Sequence, residues 1–311
     1  MKLLAERLAR LQFLPCATSP GLTLMPIVSG APLSRFYLTL DEALEGGTVA
    51  IEEVSPGGAV PELRVRNGGE LGCVMLDGEE LVGGKQDRII NVTVVLPAGV
   101  AATIPVSCIE AGRWQYRSAR FGTSRSAFFA RGRASKLRNV AASLALGGTR
   151  RSNQGEVWER IDRKFANLSV ERCETGAAAG LYDKLDGEIS RTVEAEAPVP
   201  GQIGAAFLVD GKVIGIEILR DPDLYAKLAP KLISSYALEA FDPETRELIA
   251  ANDAPSPRAL LDAAIRAPSR KTAGVADGEE LHFDSGSAFG AAVIAGGEIV
   301  HLSVFPAYAA A

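Results

Sequence analysis

The sequence predicts an α+β fold: antiparallel, β-hairpin-rich sheets with several helices in the middle and C-terminal half. Three observations point there. Glycine, proline and Asp-Gly punctuation cuts the first third into short apolar runs of strand length. Helical periodicity starts only near residue 135. A hairpin-like pattern then recurs late in the chain. With 311 residues, 47% of them hydrophobic and 23% charged, the chain can bury a substantial core, which excludes a disordered or low-complexity protein.

Strands are expected near 22–28, 48–54, 61–67, 72–77, 87–96 and 102–110. Ser135 to Leu146 carries Leu137, Val140 and Leu144 on one helical face and stops at Gly147-Gly148. Asn153 followed by Glu156 reads as a helix cap, with Val157, Trp158, Ile161 and Phe165 behind it at helical spacing. Leu181, Leu185 and Ile189 mark another helix. Asp221-Pro222 and Ser256-Pro257 each read as a cap with proline at the first helical position. The segments GAAFLVDGKVIGIEI (204–218) and GAAVIAGGEIVHLSV (290–304) match as hairpins turning at Asp210-Gly211 and Gly296-Gly297. GCVMLDGEELVGG (72–84) reads as a weaker third copy. No Gly-x-Gly-x-x-Gly follows a strand and no Gly-Lys-Ser/Thr loop occurs, so dinucleotide-fold and P-loop readings are unsupported. Residues 1–311 are expected to form one compact unit, with a β-rich part over about 1–125 and an α+β part over about 126–311. The linker candidate Glu194–Pro200 is short.

Charge narrows the function classes. Thirty-three basic and 38 acidic residues give a net charge of −5, which does not indicate a nucleic-acid partner. Residues 111–155 nevertheless contain no Asp or Glu and ten basic side chains, among them Arg113, Arg117, Arg131, Arg133 and Lys136. Such a segment is either a solvated basic face or a site for an anionic ligand, because guanidinium groups match phosphate oxygens. Only two histidines occur, His282 and His301, which excludes a multi-histidine metal centre. Cys16, Cys73, Cys108 and Cys173 are scattered, as in a reduced, cytoplasmic chain. The N-terminus lacks a signal peptide's apolar stretch and no run approaches a membrane span, so no membrane partner is expected. No cofactor is identified.

The densest chemistry lies in 77–114. If 87–96 and 102–110 pair around Pro97–Ala101, Ile90 falls opposite Cys108 and Arg88 opposite Glu110. Two readings stand: a buried ion pair closing the sheet, or a carboxylate and a guanidinium at a pocket mouth with Cys108 one pair deeper. Glu79 and Glu80 follow a tight turn and precede Gly83-Gly84, where glycine permits close backbone approach. Cys108 is either a buried structural thiol or a nucleophile in need of a histidine.

These residues resemble a mostly bacterial domain family named for its association with ADP-ribosylglycohydrolases and rhodanese-phosphatase proteins. The resemblance rests on Gly78, Glu79, Leu81, Gly83, Gln86 and Arg88. It continues through the string Ile104, Pro105, Val106, Ser107, Cys108, Glu110, Gly112, Arg113 and Trp114, and through Gln154, Gly155, Val157 and Trp158. The hairpins carrying Glu217 and His301 are also similar. Asp87 departs from the pattern, which has asparagine there. The resemblance implies an enzyme of hydrolytic type acting on an ADP-ribose- or NAD-derived nucleotide. In that reading Arg88 and Arg113 hold phosphate, Trp114 or Trp158 stacks on a base, and Gln86 orients a ribose or amide, with Ser107 and Gln154 beside them. Glu79 or Glu110 is then the general acid/base and Cys108 the candidate nucleophile. The alternative is a non-catalytic module that senses a phosphorylated nucleotide with the same arginines. Either way the expected partner is a phosphorylated small molecule or nucleotide.

Overall fold

The computed structural model describes residues 2–18, 21–29, 37–172 and 176–311; Cys173 lies outside them. The α+β class holds, and the chain forms two compact units.

The first unit comprises Met1–Arg35, Glu188–Ala273 and Gly278–Ala311. Its nine-stranded antiparallel sheet runs in the order Leu11–Phe13, Leu22–Ser29, Gln202–Val209, Lys212–Leu219, Glu298–Pro306, Ala288–Ala295, Glu279–Asp284 and Ser269–Ala273, with Ala17–Thr18 paired onto Leu22–Ser29. Both expected hairpins are present. Asp210 and Gly211 (φ 49° and 77°) and Gly296 and Gly297 (φ 59° and 77°) take the left-handed turn conformation that matches strand twist. Ile216, Ile218, Leu302 and Val304 face a core closed by Leu260 and Leu261 of helix Pro257–Arg266. The opposite face carries Glu217, Ser303, Ala291 and His282 in cross-strand register. There the Tyr236 hydroxyl of helix Pro222–Phe241 donates to Glu217 Oε1 at 2.9 Å, and His301 Nε2 meets Glu217 Oε2 at 2.8 Å. Gly215 makes this possible, since a Cβ there would overlap the tyrosine hydroxyl. His282 Nε2 meets Glu280 Oε2 at 3.2 Å, so each histidine of the chain is matched with a glutamate. Asp221 and Ser256 cap their helices as expected, accepting from the backbone N–H of Leu224 and Ala259.

The second unit comprises Phe36–Gly187 and Gly274–Asp277, so the division expected near residue 125 falls inside it. A six-stranded antiparallel sheet runs Phe121–Ala127, Glu79–Gly83, Arg88–Ile90, Ala101–Cys108, Glu62–Asn67 and Val49–Glu53. A three-stranded sheet holds Val94–Leu96, Gly72–Met75 and, in parallel pairing, Tyr37–Thr39. Leu63, Val65, Leu81, Ile90, Ile104 and Val106 form the core with Val140 and Leu144 of helix Ala130–Gly147.

Four local expectations are corrected. The run 87–96 breaks into Arg88–Ile90 and Val94–Leu96, which belong to different sheets. The cause is Pro105, which has no N–H to give a ladder. Residues Ala101–Pro105 pair with Glu62–Arg66, and only Val106–Cys108 pair with Arg88–Ile90. The register is therefore displaced by two, and Cys108, not Glu110, stands opposite Arg88. The segment 72–84 is not a hairpin: Glu79 turns its carboxylate back onto the Leu76 N–H at 2.7 Å, and the chain changes sheets there. The helix marked by Leu181, Leu185 and Ile189 is two short ones, Ala179–Lys184 and Asp186–Ala195. Among the described residues, no helix is long and apolar enough to cross a membrane.

Candidate functional site

The site gathers at the end of strand Arg88–Ile90. Leu81, Arg88 and Cys108 are cross-strand neighbours and share one sheet face. That face is apolar core further along, at Ile90 and Val106, so Arg88 is fully buried with an exposure of 0%. Its Nη1 donates to Gln86 Oε1 at 3.2 Å, while Nε and Nη2 meet no acceptor among the described residues. The guanidinium carbon lies 5.6 Å from the ring centre of Trp114, which is itself 44% exposed and covers it from the solvent side. A buried guanidinium with two unused donors is costly to the fold.

Glu53, at the end of strand Val49–Glu53, supplies the opposite chemistry. Its Oε1 accepts the Lys85 N–H at 3.1 Å, and its buried Oε2 has no hydrogen-bond partner among the described residues. Gly58, at φ +75°, lets the groups converge. A Cβ there would stand 3.2 Å from Lys85 Cδ, 3.3 Å from Glu53 Oε2 and 3.5 Å from Trp114 Cζ2. Cys108 feels these neighbours. Burial pushes its thiol up, Arg88 opposes, and Glu53 and Glu110 add to the rise. The thiol is thus held in its protonated, weakly nucleophilic form.

Arg113 and Glu110 build the frame instead of the pocket. Arg113 Nε donates to both Glu110 oxygens at 3.0 Å, and Nη2 donates to Glu110 Oε2 at 2.6 Å and Asp87 Oδ1 at 3.1 Å. Its Nη1 reaches the carbonyls of Gly84 and Gln115 at 2.9 Å. Glu110 also accepts the Asp87 N–H at 3.0 Å. The expected Arg88–Glu110 pair is therefore replaced by Arg113–Glu110, because Glu110 lies beyond the last paired residue of its strand. Gln154, first residue of helix Gln154–Asn167, clasps the Cys108 backbone from the other side. Its Oε1 accepts the Cys108 N–H and its Nε2 donates to the Cys108 carbonyl, both at 2.8 Å. Asn153 caps that helix as expected.

Gln86, Arg88, Cys108, Glu110, Arg113, Trp114 and Gln154 thus come together. Glu79 is buried and tied to its turn. Ser107 points to the other face of the strand, where its hydroxyl donates to Asn91 Oδ1 at 2.7 Å. Trp158 stands partly exposed on the helix that Gln154 begins. Among the described residues, no group of three or more His, Cys, Asp or Glu side chains is arranged to hold a metal ion.

Sequence reasoning missed Glu53, Lys85 and Arg64. Their signal is tertiary: the Ser55-Pro56-Gly57-Gly58 turn brings Glu53 to Lys85, and nothing local links either to Arg88. Beside Glu53 opens a cleft of about 620 Å³, lined by Glu53, Ser55, Arg64, Tyr116, Arg117 and Ser118 among others. Lys85 Nζ joins the two regions, 5.4 Å from the Trp114 ring centre and 5.2 Å from that of Tyr116.

No curated protein and no solved structure matches the chain. A family model does match, over residues 10–305, and it spans both units and every residue of the site. The chain belongs to the ARPP-1 family, the ARG and Rhodanese-Phosphatase-superfamily-associated Protein domain.

Proposed function

We propose that the site binds a phosphorylated nucleotide of the ADP-ribose class, with Arg88 as the anchor for one of its oxygens. The observation that carries this reading is the fully buried Arg88 guanidinium with Nε and Nη2 unpartnered. A fold tolerates such a group when an oxygen-rich ligand completes it, and guanidinium is suited to phosphate and ribose oxygens. Trp114 supplies a half-exposed aromatic surface over that anchor, and Gln86 fixes the orientation of the guanidinium through its Oε1. The family's association with ADP-ribosylglycohydrolases supports the nucleotide class.

Hydrolysis of that nucleotide is the second reading, and Glu53 favours it. Glu110 is committed to Arg113, and the Cys108 thiol is pushed up by burial. Beside Arg88 and Trp114, Glu53 Oε2 is a buried carboxylate oxygen with no hydrogen-bond partner among the described residues. As general base it would take a proton from water while the water oxygen attacks the electrophilic carbon or phosphorus. The bond broken leaves its electron pair, and then the proton, on the departing group. The test is calorimetric titration with ADP-ribose, ADP, ribose 5-phosphate and inorganic phosphate, with products followed by chromatography. Saturable ADP-ribose binding is expected, with turnover lost in Glu53→Gln if the second reading holds. Absence of binding by all four compounds would remove the proposal.

A further inference from the structure

We infer that the cleft beside Glu53 is a pyrophosphate subsite, so that the ligand is a nucleoside diphosphate conjugate rather than a monophosphate. This rests on the nucleotide reading of the Arg88 site and extends it to Arg64 and Arg117. Three observations carry it. First, Arg64 and Arg117 are exposed cleft residues whose guanidinium groups form no hydrogen bond or ion pair among the described residues. Arg64 stands opposite Glu52 in the sheet, yet Glu52 turns to Arg120 at 3.5 Å. Arg117 is held in place by its backbone N–H, which donates to the Gly84 carbonyl at 2.9 Å, and its guanidinium acts on Asp87 through space without a direct ion pair among the described residues. Two guanidinium groups lining one cleft match the charge of a diphosphate.

Second, the cleft is not uniformly cationic. Glu53 lines it, and its Oε2 accepts no hydrogen bond among the described residues. A carboxylate beside two arginines repels a bare anion and accepts from a hydroxyl, so the fitting ligand carries phosphate and sugar hydroxyls together. Third, the cleft and the Arg88 site have neighbours in common. Glu53 lines the cleft and acts electrostatically on Cys108, which stands opposite Arg88, and Lys85 lies against the rings of Trp114, over Arg88, and Tyr116, in the cleft. A volume of about 620 Å³ falls in the usual range for small-molecule sites, roughly 300–1,000 Å³. A ligand with two phosphates in the cleft places its terminal sugar toward Glu53 and Arg88.

The experiment compares ADP-ribose with ribose 5-phosphate on wild type, Arg64→Met, Arg117→Met and the double variant, by calorimetry at two salt concentrations. Both arginines are exposed, so the variants should melt like wild type, and circular dichroism confirms this. Wild type should prefer ADP-ribose. In the double variant ADP-ribose affinity should fall by about 30-fold or more, the scale of two charge-assisted contacts. Its salt dependence should weaken, and ribose 5-phosphate should change by no more than about 3-fold. Equal wild-type affinity for both compounds, or a double variant that keeps the preference, would overturn the subsite and leave the Arg88 anchor standing. Failure of both compounds to bind wild type would remove the two proposals together.

Discussion

Arg88 and Cys108 stand directly opposite each other across strands Arg88–Ile90 and Ala101–Cys108, on the face that becomes the apolar core at Ile90 and Val106. A cation and a thiol therefore occupy the last cross-strand pair before the sheet ends. Everything around that pair is braced. Gln154 holds the Cys108 backbone, Arg113 ties the following loop to Gly84 and Asp87, and Trp114 covers the guanidinium. The bracing is dense while the braced cation itself keeps two donors unused. On the proposed reading, this contrast leaves the guanidinium for a ligand to complete.

Gln154→Ala leaves the N–H and carbonyl of Cys108 without their side-chain partners. The expected loss is about 2–3 kcal/mol, the scale of two buried backbone groups left unsatisfied. Urea melts measure it, and the Cys108 amide should exchange faster with solvent. Unchanged exchange at Cys108 would show that water replaces the glutamine fully.

Arg113→Lys should free the loop that carries Trp114. A lysine ammonium presents its donors from one point and does not span Glu110, Asp87 and two carbonyls together. A loss of about 2–3 kcal/mol is expected. In a Trp158→Phe background, which isolates Trp114, the emission should shift to the red. An unshifted spectrum would mean that Trp114 is seated without the Arg113 clamp.

Asp87 offers a test through pH. Burial pushes its carboxyl up, the Gly83 N–H pulls it down, Glu110 adds to the rise, and Arg113 and Arg117 counter it, with burial prevailing. The charged form is thus disfavoured by folding, and its destabilising effect lifts as pH falls through the raised value. Asp87→Asn should be more stable than wild type at neutral pH. That advantage should shrink as pH drops toward the ordinary carboxylate value of 3.8. Denaturant melts across pH 3–8 read the trend, and a variant less stable at pH 7 would show that the Arg113 attraction dominates.

Glu156 should show the opposite sign. Burial alone would raise its carboxyl, but hydrogen bonds from Ser135, Asn139 and Arg160 outweigh it and hold the group below 4.5. A lowered carboxyl contributes stability that is present above pH 4.5 and lost as pH falls through the folded-state value. Glu156→Gln should cost about 1–2 kcal/mol at pH 7. Wild type and variant should converge in acid, and a constant difference from pH 7 down to 3 would contradict the assignment.

The parts of the fold that were legible in the sequence are those set by local chemistry. Asp210-Gly211 and Gly296-Gly297 demand left-handed turns, and Asp221-Pro222 and Ser256-Pro257 demand helix starts, so hairpins and caps followed. The break in 87–96 was not legible, because Pro105 acts on the neighbouring strand rather than its own. Helix Ala130–Gly147 begins five residues before the expected Ser135 because Arg131 and Arg133 are buried in its first turns, where charge masks the periodicity. At the site, Gln86, Arg88, Cys108, Trp114 and Gln154 carried a motif and were found to meet. Glu53 and Arg64 carry none, and only the folded chain brings them beside Arg88's cover. Glu110 reads in the sequence as a general acid/base and Arg113 as a phosphate-holding group, whereas in the structure they hydrogen-bond each other.

The central claim is that Arg88 is buried for a ligand and not for the fold, and Arg88→Met tests it most directly. Methionine keeps the length and fills the space without the unpartnered donors. If the claim holds, the variant is as stable as wild type or more so, because an unsatisfied buried charge has been removed. Calorimetric ADP-ribose binding should then fall by about 30-fold or more, the scale of lost hydrogen bonds to a charged group. The contradicting result is a variant that loses about 3–5 kcal/mol of stability, as when a paired buried charge is broken, while the molecules that remain folded bind ADP-ribose as tightly as wild type.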